Sequence, residues 1–109
     1  MKNPDDEIYL QHIKEAIKKI DSYVNNLDFE GFKKKLIVQD AVIRQFEIIG
    51  EAAKRLSEEF KNHNINIPWK YIVGMRNRLI HNYFGVDIDT VWETIVKDMP
   101  SLKKEIYEI

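Results

Sequence analysis

Leu10, Ile13, Ile17, Ile20, Val24 and Leu27 recur in alternating steps of three and four. That spacing builds one apolar stripe along a helix, whereas a strand would need alternation at period two. No segment of the chain alternates that way, so the residues predict an all-α fold. The stripe places a first helix over about Asp5 to Asn25. Asp5, Asp6 and Glu7 fall in its first turn, where carboxylates favour the positive end of the helix dipole. Asn25-Asn26-Leu27-Asp28 then reverses the chain.

A longer helical stretch is expected from about Phe29 to Lys61, with Gly31 as its weak point. Its stripe is Val42, Phe46, Ile49, Ala53, Leu56 and Phe60, flanked by Leu36, Ile43 and Ala52. Gly50 interrupts this pattern at a cost of roughly 1 kcal/mol relative to Ala, which predicts that another backbone passes close by. Lys61 to Asn66 reads as a polar surface loop containing His63. Pro68 suits the first position of a third helix, because its missing N–H would have no partner there. Trp69, Ile72, Val73, Leu79 and Ile80 give that helix its apolar surface, Gly74 is a second point of close approach, and Gly85 is placed to end it in a left-handed cap. An aspartate in Val86-Asp87-Ile88-Asp89 caps a fourth helix carrying Val91, Trp92, Ile95 and Val96. Pro100 stops or kinks that helix, and a short last one runs through Leu102, Ile106 and Ile109. The expectation is a bundle of four or five helices, antiparallel because the connections are short.

With 109 residues, 44% apolar and 32% charged, the chain is sized for one domain with a single core. It has no cysteine, which excludes disulfides and thiolate zinc sites and fits a reducing compartment. No apolar run approaches the roughly 20 residues of a membrane span, and the first residues carry no signal-peptide core. A cytoplasmic protein is expected. The net charge of −1 argues against coating nucleic acid by bulk positive charge; RNA binding would need a local patch, or one assembled by oligomerisation.

The chemistry concentrates in Arg76-Asn77-Arg78-Leu79-Ile80-His81-Asn82-Tyr83. An imidazole can move protons near neutral pH, and a guanidinium can neutralise phosphate charge, which together suit metal-free cleavage of RNA. At about 100° per residue, Arg76 and Tyr83 fall within about 20° of each other, but Arg76 and His81 diverge by about 140°. A straight helix therefore does not aim both at one phosphate. Either the helix distorts near His81 or a second subunit brings its own copy alongside. A structural reading stands beside this one: arginines and a histidine near a helix C-terminus also satisfy carbonyls and the dipole. His12 lies off the apolar stripe, and the Lys33-Lys34-Lys35 run reads as a solvated face. With no His-x-x-x-His pair and no cysteine, a dedicated metal site is not expected.

These residues resemble a known family. Arg76-Asn77-x-x-x-His81-x-Tyr83 is similar to the Arg-x4-His signature of HEPN ribonuclease domains, in the His-x-Tyr form of the HepT-like toxins. Gln39 to Arg44, Ile49 to Lys54, Ile67-Pro68-Trp69, Gly74 to Asn77 and Val86-Asp87 follow the same pattern in order, so the likeness covers nearly the whole chain. It implies one HEPN-like domain over residues 1–109 and a homodimer whose facing motifs share a cleft. It implies a metal-independent endoribonuclease, needing no cofactor, in which the ribose 2′-hydroxyl attacks the adjacent phosphate. Arg76 would stabilise transition-state charge, His81 would move protons and Asn77 would orient substrate or histidine; Arg78, which the pattern does not fix, is a candidate phosphate contact. It further implies a nucleotidyltransferase antitoxin that transfers AMP to Tyr83. The competing reading is a non-catalytic helical dimer that docks such a partner or a nucleotide.

Overall fold

The structure is a computed structural model that describes residues 4–79 and 87–109. Among these residues the helices are α1 (Pro4–Val24), α2 (Phe29–Lys34), α3 (Leu36–Arg55), α4 (Glu58–His63), α5 (Trp69–Val73), α6 (Met75–Leu79), α7 (Ile88–Glu93) and α8 (Met99–Tyr107). A π-helical turn, Thr94–Asp98, joins α7 to α8. The fold is all-α, as the apolar spacing predicts. Four rods, α1, α3, α5–α6 and α7–α8, make the bundle, and α2 and α4 act as helical connectors. No described helix is long and apolar enough to cross a membrane.

Ile13, Ile17 and Ile20 of α1 are fully buried against Val42, Phe46 and Ile49 of α3. Ile72, Met75, Leu79, Val91 and Ile106 close the core from the other rods. Contacts along their lengths show α1 running antiparallel to both α3 and α8. Asp6, in the first turn of α1, accepts from the Ser57 amide (2.7 Å) and hydroxyl (2.6 Å) just beyond the end of α3. On α8, Lys103 pairs with Asp21 while Tyr107, one turn later, donates to the Lys14 carbonyl. After α1 the chain reverses at Asn26, whose φ of 64° is a left-handed conformation that asparagine tolerates.

The expected second helix is three helices. The first break falls at Lys35 rather than at Gly31: Asp28 caps the start of α2 by accepting from the Gly31 amide, and the buried Gln39 amide group donates to the Phe32 and Lys33 carbonyls at the end of α2. The second falls at Leu56, where the backbone turns extended (ψ 144°), and Ser57 caps α4 by accepting from Phe60 N at 3.1 Å. His63 consequently sits in the last turn of α4, with Nδ1 2.9 Å from the Glu59 carbonyl, and not in a loop. Leu36, Val96 and Ile109, expected as apolar packing positions, are 71%, 47% and 41% exposed.

The expected third helix divides at Gly74 into α5 and α6. Pro68 precedes α5 instead of opening it. A Cβ at Gly50 would lie 3.4 Å from the carbonyl oxygens of both Ile72 and Val73, so the α5 backbone does pass over α3 there. Gly74 differs from expectation: a Cβ there would meet Lys70 O of its own preceding turn and the Arg78 side chain, not another element. Asp87 is the cap of α7, accepting from the Thr90 amide and hydroxyl. Pro100 does not end the helical run. It lies in the first turn of α8, directly after the π turn in which Met99 N reaches back to Thr94 O. A proline crowds the carbonyl four residues before it, and the wider turn accommodates that ring. Ile80, Gly85 and Val86 lie outside the described residues.

Candidate functional site

The close pass at Gly50 sets the geometry that follows. It brings α5 and then α6 along the face of α3 one turn before Gly50, where Glu47 projects. Met75 is buried beneath α6, which turns its neighbour Arg76 outward. Arg76 Nε donates to Glu47 Oε2 at 3.0 Å, and about half of the arginine side chain (54%) remains open to solvent. A guanidinium is a planar fork with several donors, so a bond through Nε orients the group while leaving its Nη1/Nη2 edge to grip phosphate.

Arg78 is held differently. Its guanidinium lies 3.5 Å from the Tyr71 ring centroid, and Nη2 donates to the Tyr71 carbonyl at 2.6 Å. The Tyr71 hydroxyl in turn donates to the Asp98 carboxylate in the π turn. Partial burial, then the bond to Asp98 and its charge, push the Tyr71 phenol above its ordinary pKa, against the opposing pull of Arg78. Arg78 thus ties α6 to α5 and, through Tyr71, to the π turn. The two arginines do not converge: Arg76 reaches to α3 and Arg78 folds back on α5. Asn77 is exposed on α6 between them.

His81 and Tyr83 lie outside the described residues. Of the remaining candidates, His12 is exposed and meets the Tyr9 ring edge-on, with centroids 6.2 Å apart. Lys33, Lys34 and Lys35 are exposed, as expected of a solvated face, and Lys33 sits over the Phe29 ring.

Glu47, Tyr71 and Asp98 did not emerge from the sequence as partners of the motif. Glu47 is 29 residues from Arg76, and no local pattern links the two. A signal did exist, in that Glu47 lies three residues before Gly50, the position already marked for a passing backbone.

The family profile described as "Ribonuclease HepT-like" matches residues 13–109. A protein of Caldanaerobacter subterraneus subsp. tengcongensis, provisionally named as an RNase, is 45% identical over 101 residues, covering 93% of this chain and 90% of its own length. The "Probable ribonuclease HepT" of Thermococcus cleftensis is 46% identical over 95 residues, covering 87% of this chain and 86% of its own. A Methanocaldococcus jannaschii relative is 48% identical over 105 residues, but those are 96% of this chain and only 47% of that protein, whose name joins gamma-glutamylcyclotransferase to a provisional RNase. The chain thus spans about half the length of that relative. No solved structure matches the chain.

Proposed function

The chain belongs to the HepT-like ribonuclease family, and from that premise we propose that it is a metal-independent endoribonuclease acting as the toxin of a toxin–antitoxin pair in the cytoplasm. Residues 1–109 would form one HEPN-like domain, and two copies would face their motifs across a shared cleft. The observation that carries the reading is Arg76: a half-exposed guanidinium that Glu47 orients, at the first position of the motif.

In this account the ribose 2′-hydroxyl attacks the adjacent phosphorus and the 5′-oxygen leaves, giving a cyclic phosphate and a 5′-hydroxyl. His81 takes the proton from the 2′-hydroxyl or supplies one to the leaving oxygen. Arg76 stabilises the charge that accumulates on the phosphorane-like transition state, which a preorganised donor does without reorganising at the moment of reaction. Asn77 orients substrate or imidazole. The need for a 2′-hydroxyl restricts the substrate to RNA. Arg78, stacked on Tyr71 with one bond through Nη2, would meet a phosphate only with its remaining N–H donors unless it leaves that ring.

The chain's regulation follows from the same chemistry. A nucleotidyltransferase antitoxin would add AMP to the Tyr83 phenol, placing negative charge and bulk where RNA must bind Arg76. Expression of the chain alone tests this reading. Growth should arrest, Arg76→Ala should abolish the arrest, and co-expression of an adjacent nucleotidyltransferase should relieve it while Tyr83 gains the mass of AMP. Growth unaffected by the wild-type chain would favour the non-catalytic docking module instead.

A further inference from the structure

We propose that the groove between α1 and α3 is a subsite for a nucleotide flanking the cut, with Arg44 on its phosphate and the Tyr9–His12 pair on its base. The proposal rests on the ribonuclease reading above and extends it to residues outside the motif. The groove encloses about 300 Å³, the lower end of the roughly 300–1,000 Å³ common for small-molecule sites. Glu47 lines it, and Glu47 is the residue that holds Arg76, so the groove adjoins the candidate site directly.

Charge singles out Arg44. Two carboxylates line the groove, and each is engaged by an arginine: Glu47 by Arg76 at 3.0 Å, and Glu51 by Arg55 at 3.1 Å. Arg44 is exposed and has no acidic partner among the described residues. It precedes Glu47 by one turn of α3, a spacing that sets Cβ atoms about 5–6 Å apart. A strand gripped by Arg76 can therefore present its neighbouring phosphate to Arg44.

The aromatic side is preorganised. The Tyr9 ring is half-buried against the core, and Arg55, which bonds Glu51, lines the same groove. His12 meets that ring at 77°, and Ile48 and Ala52 supply apolar lining between them and α3. A fixed aromatic beside an unpaired cation is the pairing that single-stranded RNA sites use, because every base has a face to stack and every linkage a charge to neutralise.

The test uses the full chain carrying His81→Ala, to prevent turnover, and an unstructured fluorescent oligoribonucleotide read by anisotropy across a salt series. Arg44→Ala should weaken binding about 10-fold and lower the salt slope of log K by about 0.7, as loss of one phosphate contact on a single strand does. Tyr9→Leu should weaken binding by about 5-fold or more at unchanged salt slope, while Tyr9→Phe, which keeps the ring, should bind like the parent. Binding within twofold of the parent for both Arg44→Ala and Tyr9→Leu, or no measurable binding by the parent, overturns the subsite. Cleavage by the otherwise wild-type chain separates the two claims. If it cuts RNA and both variants cut with unchanged KM, the groove proposal falls and the ribonuclease stands. If it cuts nothing while the variants lose binding, the groove stands and the nuclease reading falls.

Discussion

Arg76 and Glu47 stand 29 residues apart in the chain and 3.0 Å apart in space. The contact joins α6 to α3 through side chains that are 54% and 31% exposed. An exposed ion pair of this kind contributes only about 0–1 kcal/mol to stability, so its consequence lies in where it holds the guanidinium.

Glu47→Ala should therefore lower kcat for RNA cleavage by about 10-fold while changing unfolding free energy by less than about 1 kcal/mol. Glu47→Gln, which keeps an oxygen acceptor, should recover part of the rate. Steady-state kinetics beside chemical denaturation decide the matter. A kcat unchanged in Glu47→Ala would show that the pair does not position Arg76 for chemistry.

At Gly50 the available space decides between side chains. A methyl group would sit 3.4 Å from two α5 carbonyl oxygens, ordinary contact at its near limit. Gly50→Ala should stay within about 1 kcal/mol of wild type, since the gain in helix propensity offsets the tight fit. Gly50→Leu must push α5 off α3 and should cost about 1–3 kcal/mol or more by urea unfolding. Because α5 leads into α6, it should also disturb the Arg76–Glu47 contact and cut activity; a stable, fully active Gly50→Leu would refute the close pass.

Asp6 is 5% exposed and accepts two bonds from Ser57, closing the start of α1 onto the junction of α3 and α4. Asp6→Ala leaves the Ser57 amide without its acceptor and should cost about 1–3 kcal/mol. Asp6→Ala and Ser57→Ala should couple in a double-mutant cycle, and additive losses would mean the contact is not formed in solution.

The raised pKa of Tyr71 carries a sign. A phenol whose folded-state pKa lies above its unfolded value of 10.0 contributes stability that is fully present below pH 10 and is lost as pH rises through the folded value. Wild-type protein should thus lose stability more steeply above pH 10 than Tyr71→Phe, which has no proton to lose. Denaturant midpoints measured across that window check it, and parallel curves would contradict the raised phenol pKa.

How much of this was legible depends on the range of the interaction. The α1 stripe and the buried face of Val42, Phe46, Ile49 and Ala53 could be read because periodicity is a local property repeated many times. The breaks at Lys35 and Leu56 were invisible to it, since the apolar positions stay in phase across Leu56 and a stripe says nothing about where backbone bonds end. Ser57, the cap of α4, carried that information for the second break, whereas Lys35 makes no side-chain cap bond to mark the first. Pro100 does not stop the helix, because proline's cost falls on the carbonyl four residues before it and the π turn lies there. In the candidate site, Arg76 and Asn77 belong to a contiguous motif and could be named as candidates from it. Glu47 and the Tyr71–Asp98 pair act across the bundle, and only the packing of α3, α5 and the π turn reveals them.

Arg76 and His81 are proposed to cut RNA with no metal to help them. Purified chain should be incubated with single-stranded RNA in excess chelator and the termini of the products identified. Cyclic phosphate and 5′-hydroxyl ends, falling by about 100-fold or more in His81→Ala and in Arg76→Ala, are predicted. Cleavage that stops in chelator, or persists in His81→Ala, would contradict it.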